Sequence, residues 1–280
     1  MSIVADLHTH SHASDGSLNP RELVDLASSR GLQALALTDH DTLSGVPDAL
    51  RTSVALSIRV ISGIEISAAH DPGTLHILGY FPSLPPRLEE SLDGLQRSRR
   101  ERIPRIVGRL RDLGMELCLE DVLREAGCSQ PGRPHVARAM LKRGFVGSFD
   151  EAFDTYLRRG RPAYVPKERM EWGQAIALIR EHGGMAVLAH PCTLDLDGPE
   201  LHSFAERLRD AGLAGMEVWY PDHDPGMVSL YADMAADLGL VPTGGSDFHG
   251  IEPGGCLPGD HGVDARGFDL FWGRLTGAVP

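Results

Sequence analysis

Along the first half of the chain, short apolar runs alternate with stretches whose apolar positions recur every three or four residues. That is the pattern of parallel strands joined by helices. Residues 3–7 read as a strand, 20–30 as a helix with Asn19 as its N-cap, and 34–38 as a second strand. Residues 60–67 and 75–80 read as two further strands, and the Asp71-Pro72-Gly73 turn between them predicts a hairpin.

The pattern changes near Pro82. Leu88, Leu92 and Leu95, then Ile103, Ile106, Val107 and Leu110, keep helical spacing, and nothing before residue 168 alternates as a strand would. The polar run Ser129-Gln130-Pro131-Gly132-Arg133-Pro134 interrupts the helices. Strand and helix then alternate again: helices at 172–182, 200–211 and 226–238, strands at 185–189, 216–219 and 241–244. The reading is an α/β barrel made of residues 1–82 and 169–280, with a mainly helical insertion at 83–168 that caps it. The Gly- and Pro-rich tail after Asp247 predicts no element.

A chain of 280 residues with 42% hydrophobic and 24% charged residues has the composition of an ordinary globular protein. The start, Ile3-Val4-Ala5 followed by Asp6, His8 and His10, leaves no room for a signal peptide, and no run approaches about 18 apolar residues. A cytoplasmic protein without a membrane partner is expected. Cys118, Cys128, Cys192 and Cys256 are scattered, with no Cys-x-x-Cys pair to suggest a zinc knuckle or a redox dithiol. The net charge of -12 argues against a binder of long nucleic acid. Charge is unevenly spread, however: residues 87–170 hold 18 basic against 13 acidic residues, including both lysines, Lys142 and Lys167.

Chemistry concentrates at the strand ends. His8, His10, Asp15, His40, Glu65, His76, His190, Asp247 and His249 are all expected at or just beyond C-terminal ends of strands, which in a parallel barrel share one face. His8 and His10, two apart on an extended segment, point to the same side and suit one metal ion. Asp247-Phe248-His249 repeats the spacing with a carboxylate first. Carboxylates can bridge two cations where neutral imidazoles cannot, so Glu65 and Asp247 are the natural bridging ligands. A single histidine after a strand is usually a surface or hydrogen-bonded residue; His70, His182, His202 and His261 are read that way. Recurrence at one topological position is what separates the nine from that background.

The motifs Asp6-Leu7-His8-Thr9-His10, Thr38-Asp39-His40-Asp41, Gly63-Ile64-Glu65-Ile66-Ser67, His76-Ile77-Leu78-Gly79-Tyr80, Ala189-His190-Pro191 and Gly245-Ser246-Asp247-Phe248-His249 resemble the polymerase and histidinol phosphatase (PHP) family. The resemblance implies a distorted seven-stranded (β/α) barrel with up to three divalent cations, Mn²⁺ first, with Fe²⁺, Zn²⁺ or Mg²⁺ as alternatives. By motif, His8, His10, Glu65 and Asp247 would hold the first ion, Glu65, His76 and His190 the second, and Asp15, His40 and His249 the third. Many family members carry His at the Asp15 position; a carboxylate there favours harder ions. The helical insertion resembles the branch acting on small nucleotides, notably 3',5'-nucleotide bisphosphate phosphatases, some relatives of which trim 5' ends of short RNA.

The expected activity is hydrolysis of a phosphomonoester, with Glu65, Asp247 and His249 catalytic and a hydroxide bridging the Glu65-linked ions as nucleophile. Arg99, Arg102, Arg133, His135 and Lys167 are candidates to grip the nucleotide, as guanidinium forks suit phosphate oxygens. Part of that basic run equally reads as a solvated helix face paired with Glu101 and Asp112. Trp219, Tyr220 and His223 could stack on a base, support a ligand, or simply pack. Two other functions compete: a 5'-3' exoribonuclease acting on short oligonucleotides, and a non-catalytic metal-stabilised module. Glycine-rich dinucleotide and P-loop signatures are absent.

Overall fold

The computed structural model describes residues 2–127, 130–251 and 255–278; Cys128 and Ser129 of the predicted loop lie outside them. Eight strands form one sheet: β1 (Ala5–Thr9), β2 (Ala34–Leu37), β3 (Arg59–Ala69), β4 (Leu75–Phe81), β5 (Met170–Glu171), β6 (Met185–Leu188), β7 (Gly215–Trp219) and β8 (Val241–Gly244). The path runs β1-β2-β3-β4-β6-β7-β8, with the short β5 paired to β3. The segment after β8 returns to β1, where Asp247 donates to the His8 carbonyl (2.9 Å) and His10 to the Phe248 carbonyl (2.9 Å). A nearly closed, distorted seven-stranded barrel results.

Helices flank the strands as the spacing predicts: α1 (Pro20–Ser29), α2 (Val46–Ser53), and, beyond the insertion, α7 (Trp172–Glu181), α8 (Gly198–Asp210), α9 (Pro225–Leu238) and α10 (Ala265–Thr276). The first starts where Asn19 accepts from the Glu22 amide and the Glu22 carboxylate accepts from the Asn19 amide, a reciprocal cap closed by Pro20. Two helices lack a counterpart in the sequence reading. α2 is only eight residues long, and α10 follows the Gly- and Pro-rich tail. In α10, Phe271 is fully buried and meets Tyr80 edge to face at 4.9 Å, so the tail completes the barrel core with Leu7, Ala36, Ile61 and Val187.

One strand runs backwards. β4 pairs antiparallel with both β3 and β6. The Asp71-Pro72-Gly73 turn makes the expected hairpin, with Gly73 at φ +82° and a Cβ there placed 2.4 Å from the Leu194 backbone.

The chain divides into two compact units, residues 1–91 with 169–280, and residues 92–168. The sequence reading places the boundary at 83. Residues 83–91 belong to the barrel unit because Leu88 is fully buried and the Glu89 carboxylate accepts from the Leu43 amide and Thr42 hydroxyl, both at 2.9 Å. The second unit comprises α3 (Asp93–Asp112), α4 (Leu119–Ala126), α5 (Arg133–Lys142) and α6 (Phe149–Ala152) around Ile106, Leu110, Leu117, Val136, Met140 and Leu157. No helix among the described residues is long and apolar enough to cross a membrane.

Candidate metal centre

The nine side chains singled out in the sequence meet at one end of the barrel. His8 lies on β1 and His10 one residue past it, with ring centroids 5.2 Å apart. Asp247 and His249 join them through the closing contacts after β8. A side chain at Gly245 would place its Cβ 2.4 Å from the His8 Cβ, so only glycine permits that approach. His40 follows β2 and bridges to Glu65, which lies inside β3 rather than at its end. His190 follows β6 at φ +24°, and Asp247 sits at φ +49°. Two non-glycine residues in sparsely populated backbone regions, at about 1–3 kcal/mol each, mark a place where function overrides local preference.

His76 corrects the sequence reading. It is the second residue of β4, not beyond a C-terminal strand end. Because β4 is reversed, its beginning lies at the same face as its neighbours' C-terminal halves.

Glu65 is the hub. Its Oε1 lies 2.7 Å from His76 Nδ1 and 2.9 Å from His190 Nε2; its Oε2 lies 2.8 Å from His40 Nδ1, 3.3 Å from His10 Nε2 and 3.5 Å from His8 Nε2. Asp247 Oδ1 is 3.0 Å from His10 Nε2 and 3.3 Å from His8 Nε2. Asp15 Oδ1 is 3.4 Å from His249 Nε2. Three groups have ligand atoms within 4.8 Å of one another: His8, His10, Glu65 and Asp247; His40, Glu65 and His76; and His10, Asp15, His40 and His249.

The donor chemistry fits cations. A carboxylate can only accept, so His8 Nδ1 donates to Glu217 Oε1 (3.1 Å) and presents Nε2 with its lone pair to the centre. The Thr193 hydroxyl donates to the Thr74 carbonyl (2.8 Å), hence accepts from His190 Nδ1 (3.0 Å), which leaves His190 Nε2 as a ligand atom. His249 Nδ1 donates to the Asp247 carbonyl (2.8 Å), with the same result. Outer partners that fix the tautomer in this way are the signature of metal-ligating histidines. Moreover, His8 Nε2, His10 Nε2, Glu65 Oε2 and Asp247 Oδ1 are buried and make no hydrogen bond. Buried polar atoms without partners cost free energy that a shared cation would recover.

Charge coupling in the cluster is strong. Burial alone would lower the His8 pKa, but Asp247, Glu217 and Glu65 outweigh it and hold it well above the ordinary value. Burial would likewise raise Glu65 and Asp247, yet the surrounding imidazoles keep both well below the carboxylate range. His249 is opposed by burial, but Asp247 and Asp15 push it up to about 10.

One functional group escaped the sequence reading. Glu217 is buried on β7, and its Oε2 also accepts from the His190 amide (2.7 Å), so one carboxylate braces two imidazole-bearing segments. A lone acid inside the apolar strand Gly215–Trp219 was the available signal. Tyr220 donates to Asp247 Oδ2 (3.0 Å) and its ring lies 5.3 Å from that of His190. His223 is buried behind Tyr220, with Nδ1 donating to the Val218 carbonyl (2.9 Å). The other nucleotide-gripping candidates lie in the second unit. Arg102 donates to the Val165 carbonyl, Arg133 lies over the Phe153 ring, and buried His135 accepts from the Gly132 amide at the start of α5. Arg99 and Lys167 are half-buried.

Comparison with known proteins gives this geometry a family. The PHP domain pattern matches residues 6–125. A 3',5'-nucleoside bisphosphate phosphatase from Chromobacterium violaceum is 33% identical over 254 residues, covering 89% of this chain and 88% of that protein. The chain belongs to the PHP family. A 5'-3' exoribonuclease from Haemophilus influenzae is 32% identical over 245 residues, 87% of this chain and 89% of the relative. A Bifidobacterium adolescentis structure, described as that of a metal-dependent phosphoesterase, matches with a TM-score of 0.83 at 28% identity and covers 96% of both chains. This PHP protein is accordingly a metal-dependent phosphoesterase, a hydrolase of phosphoric esters.

Proposed function

We propose that the enzyme removes the 3'-phosphate of nucleoside 3',5'-bisphosphates. The observation that carries the reading is the cluster around Glu65, a buried, partly unsatisfied set of imidazoles and carboxylates that fits several cations. Its similarity along nearly the whole chain to a bisphosphate phosphatase supports the substrate class.

His8, His10, Glu65 and Asp247 would hold one ion, Glu65, His76 and His190 a second, and Asp15, His40 and His249 a third, with Mn²⁺ as the proposed metal. Bound divalent cations supply neutralisation of phosphoryl oxygens and acidify water near neutral pH. The chain's own residues do the rest. Glu217, Thr193 and the Asp247 carbonyl hold three imidazoles in the ligating tautomer. Solvent reaches the centre from one side, since His249 is 39% and Asp15 26% exposed while Glu65 and His8 are sealed. A phosphoryl group entering there meets His249 first, which is why Glu65, Asp247 and His249 are the proposed catalytic residues. Arg99, Arg102, Arg133 and Lys167 are the residues proposed to hold phosphate, since guanidinium and ammonium groups suit it. His135 and His223 are buried, with Nδ1 engaged by the Gly132 amide and the Val218 carbonyl, and are not proposed as contacts.

A second reading, exonucleolytic trimming of short RNA from the 5' end, is favoured by the equally extensive similarity to an exoribonuclease. A phosphate-release screen of the Mn²⁺-loaded protein against mononucleotides, nucleoside 3',5'-bisphosphates, histidinol phosphate and short 5'-phosphorylated RNAs separates them. The highest kcat/KM on a bisphosphate, with a 5'-mononucleotide and inorganic phosphate as products, is expected. Release of mononucleotides from RNA with no turnover of bisphosphates would replace the first reading by the second.

A further inference from the structure

Of the nine clustered side chains, two lie between β1 and α1: His10 directly follows the strand, whereas Asp15 stands further along the irregular segment. What holds that segment is Asp39. This residue is fully buried, and its carboxylate reaches into the segment: Oδ1 accepts from the Ser11 amide (2.8 Å) and the Ser14 hydroxyl (2.7 Å), and Oδ2 from the Ser11 hydroxyl (2.7 Å). The Ser11 carbonyl in turn accepts from the Ser14 and Gly16 amides, at 3.1 and 2.9 Å, which closes the turn that presents Asp15.

Asp41, on the other side of His40, makes a matching clasp on a different element. It accepts from the Ser67 amide (2.8 Å) and hydroxyl (3.0 Å) and so grips β3, the strand carrying Glu65. His40 thus sits between two carboxylates that each fasten a different ligand-bearing segment. Neither carboxylate belongs to the groups whose atoms could hold an ion.

We propose that Asp39 is a positioning residue that sets the occupancy of the cation site formed with Asp15. Three hydrogen bonds to a buried carboxylate rigidify the 11–16 turn, and a loop ligand held in place loses less freedom when it takes up an ion. Without the clasp, Asp15 still exists but the ordering cost falls on the binding step. The inference rests on the assignment of Asp15, His40 and His249 to one ion.

The test measures bound metal directly. Full-length wild type and Asp39→Ala, Asp39→Asn, Ser14→Ala and Asp15→Ala variants are equilibrated with Mn²⁺, and ions per chain and dissociation constants are read by elemental analysis and by the spin-resonance signal of free Mn²⁺. Asp39→Ala is expected to weaken one ion by about 10-fold to 100-fold and to leave the others at wild-type affinity. Asp39→Asn, which keeps an acceptor, is expected to restore part of that loss. Should Asp39→Ala fail to fold, Ser14→Ala removes one strut with little disturbance and is expected to weaken the same ion. Asp15→Ala is the control: if it keeps every ion, the assignment of the third site is wrong. If Asp15→Ala loses an ion while Ser14→Ala and Asp39→Asn bind all ions as wild type does, the positioning role of Asp39 is overturned.

Discussion

The Tyr220 hydroxyl donates a 3.0 Å hydrogen bond to Asp247 Oδ2, which leaves Oδ1 turned toward the Nε2 atoms of His10 and His8. Burial and the neighbouring Asp247 raise the phenol's pKa, so it stays a neutral donor throughout the working range. The pair fixes which oxygen of Asp247 faces the centre.

Replacing Tyr220 by Phe keeps the ring between His190 and His223 and deletes only that donor. Metal affinity is expected to fall about tenfold, with the fold intact by circular dichroism. Unchanged affinity in a metal titration would remove Tyr220 from the account.

Glu217→Ala reaches further, because the carboxylate serves both His8 and the His190 amide. Losing it leaves a buried amide unsatisfied, at about 1–3 kcal/mol. Both a lower melting temperature and a loss of metal affinity greater than in Tyr220→Phe are expected. Glu217→Gln should recover stability more fully than affinity, since its amide still accepts but carries no charge for the His8 imidazole.

Gly245→Ala tests barrel closure. The added methyl would meet the His8 Cβ at 2.4 Å and its amide nitrogen at 2.5 Å, and backbone atoms cannot step aside. Overpacking of this kind costs about 1–3 kcal/mol. A lower unfolding midpoint together with reduced metal content is expected, because the contact that closes the barrel also delivers Asp247.

The metal-free protein should show a particular pH profile. His249 has its pKa raised from 6.5 to about 10, so its ion pairing stabilises the fold fully below about pH 6.5 and is lost as pH climbs through 10. Glu65 and Asp247 are depressed, so their contribution is present above their ordinary values and lost on acidification. Chelated protein is therefore expected to be most stable between about pH 5 and 6.5 and to weaken on both sides. Cation uptake at neutral pH must displace the imidazole protons, so it should release protons and weaken as pH falls. Calorimetry in buffers of different ionisation enthalpy measures that release.

Much of this architecture is legible in the sequence because its signals are local. Asn19 with Glu22 announces a helix start, and Asp71-Pro72-Gly73 a hairpin. The His8, His10 and Asp247, His249 spacings announce paired ligands. What stays hidden depends on long-range packing. The predicted hairpin already reverses β4, but the strand's pairing with β6, which sets its beginning beside the other ligands, is not visible along the chain, and His76 reads as a strand-end residue when it begins one. Glu217 reads as an oddity in an apolar strand until β7 lies between β6 and β8. Nothing along the chain marks Asp39 and Asp41 as clasps, since their partners Ser11, Ser14 and Ser67 stand 25 to 28 residues away. α10 is masked by the glycines and prolines before it, and tertiary burial of Phe271 overrides that local signal.

The most direct test of the central claim is the metal content of Glu65→Ala beside that of the wild type. Glu65 is within 3.5 Å of ring nitrogens of His8, His10, His40, His76 and His190. Elemental analysis of Mn²⁺-loaded, desalted protein should find up to three ions per wild-type chain and at least two fewer in the variant, with phosphate release lost in parallel. A wild-type chain that takes up no divalent cation, or a variant that keeps the full complement, would contradict it.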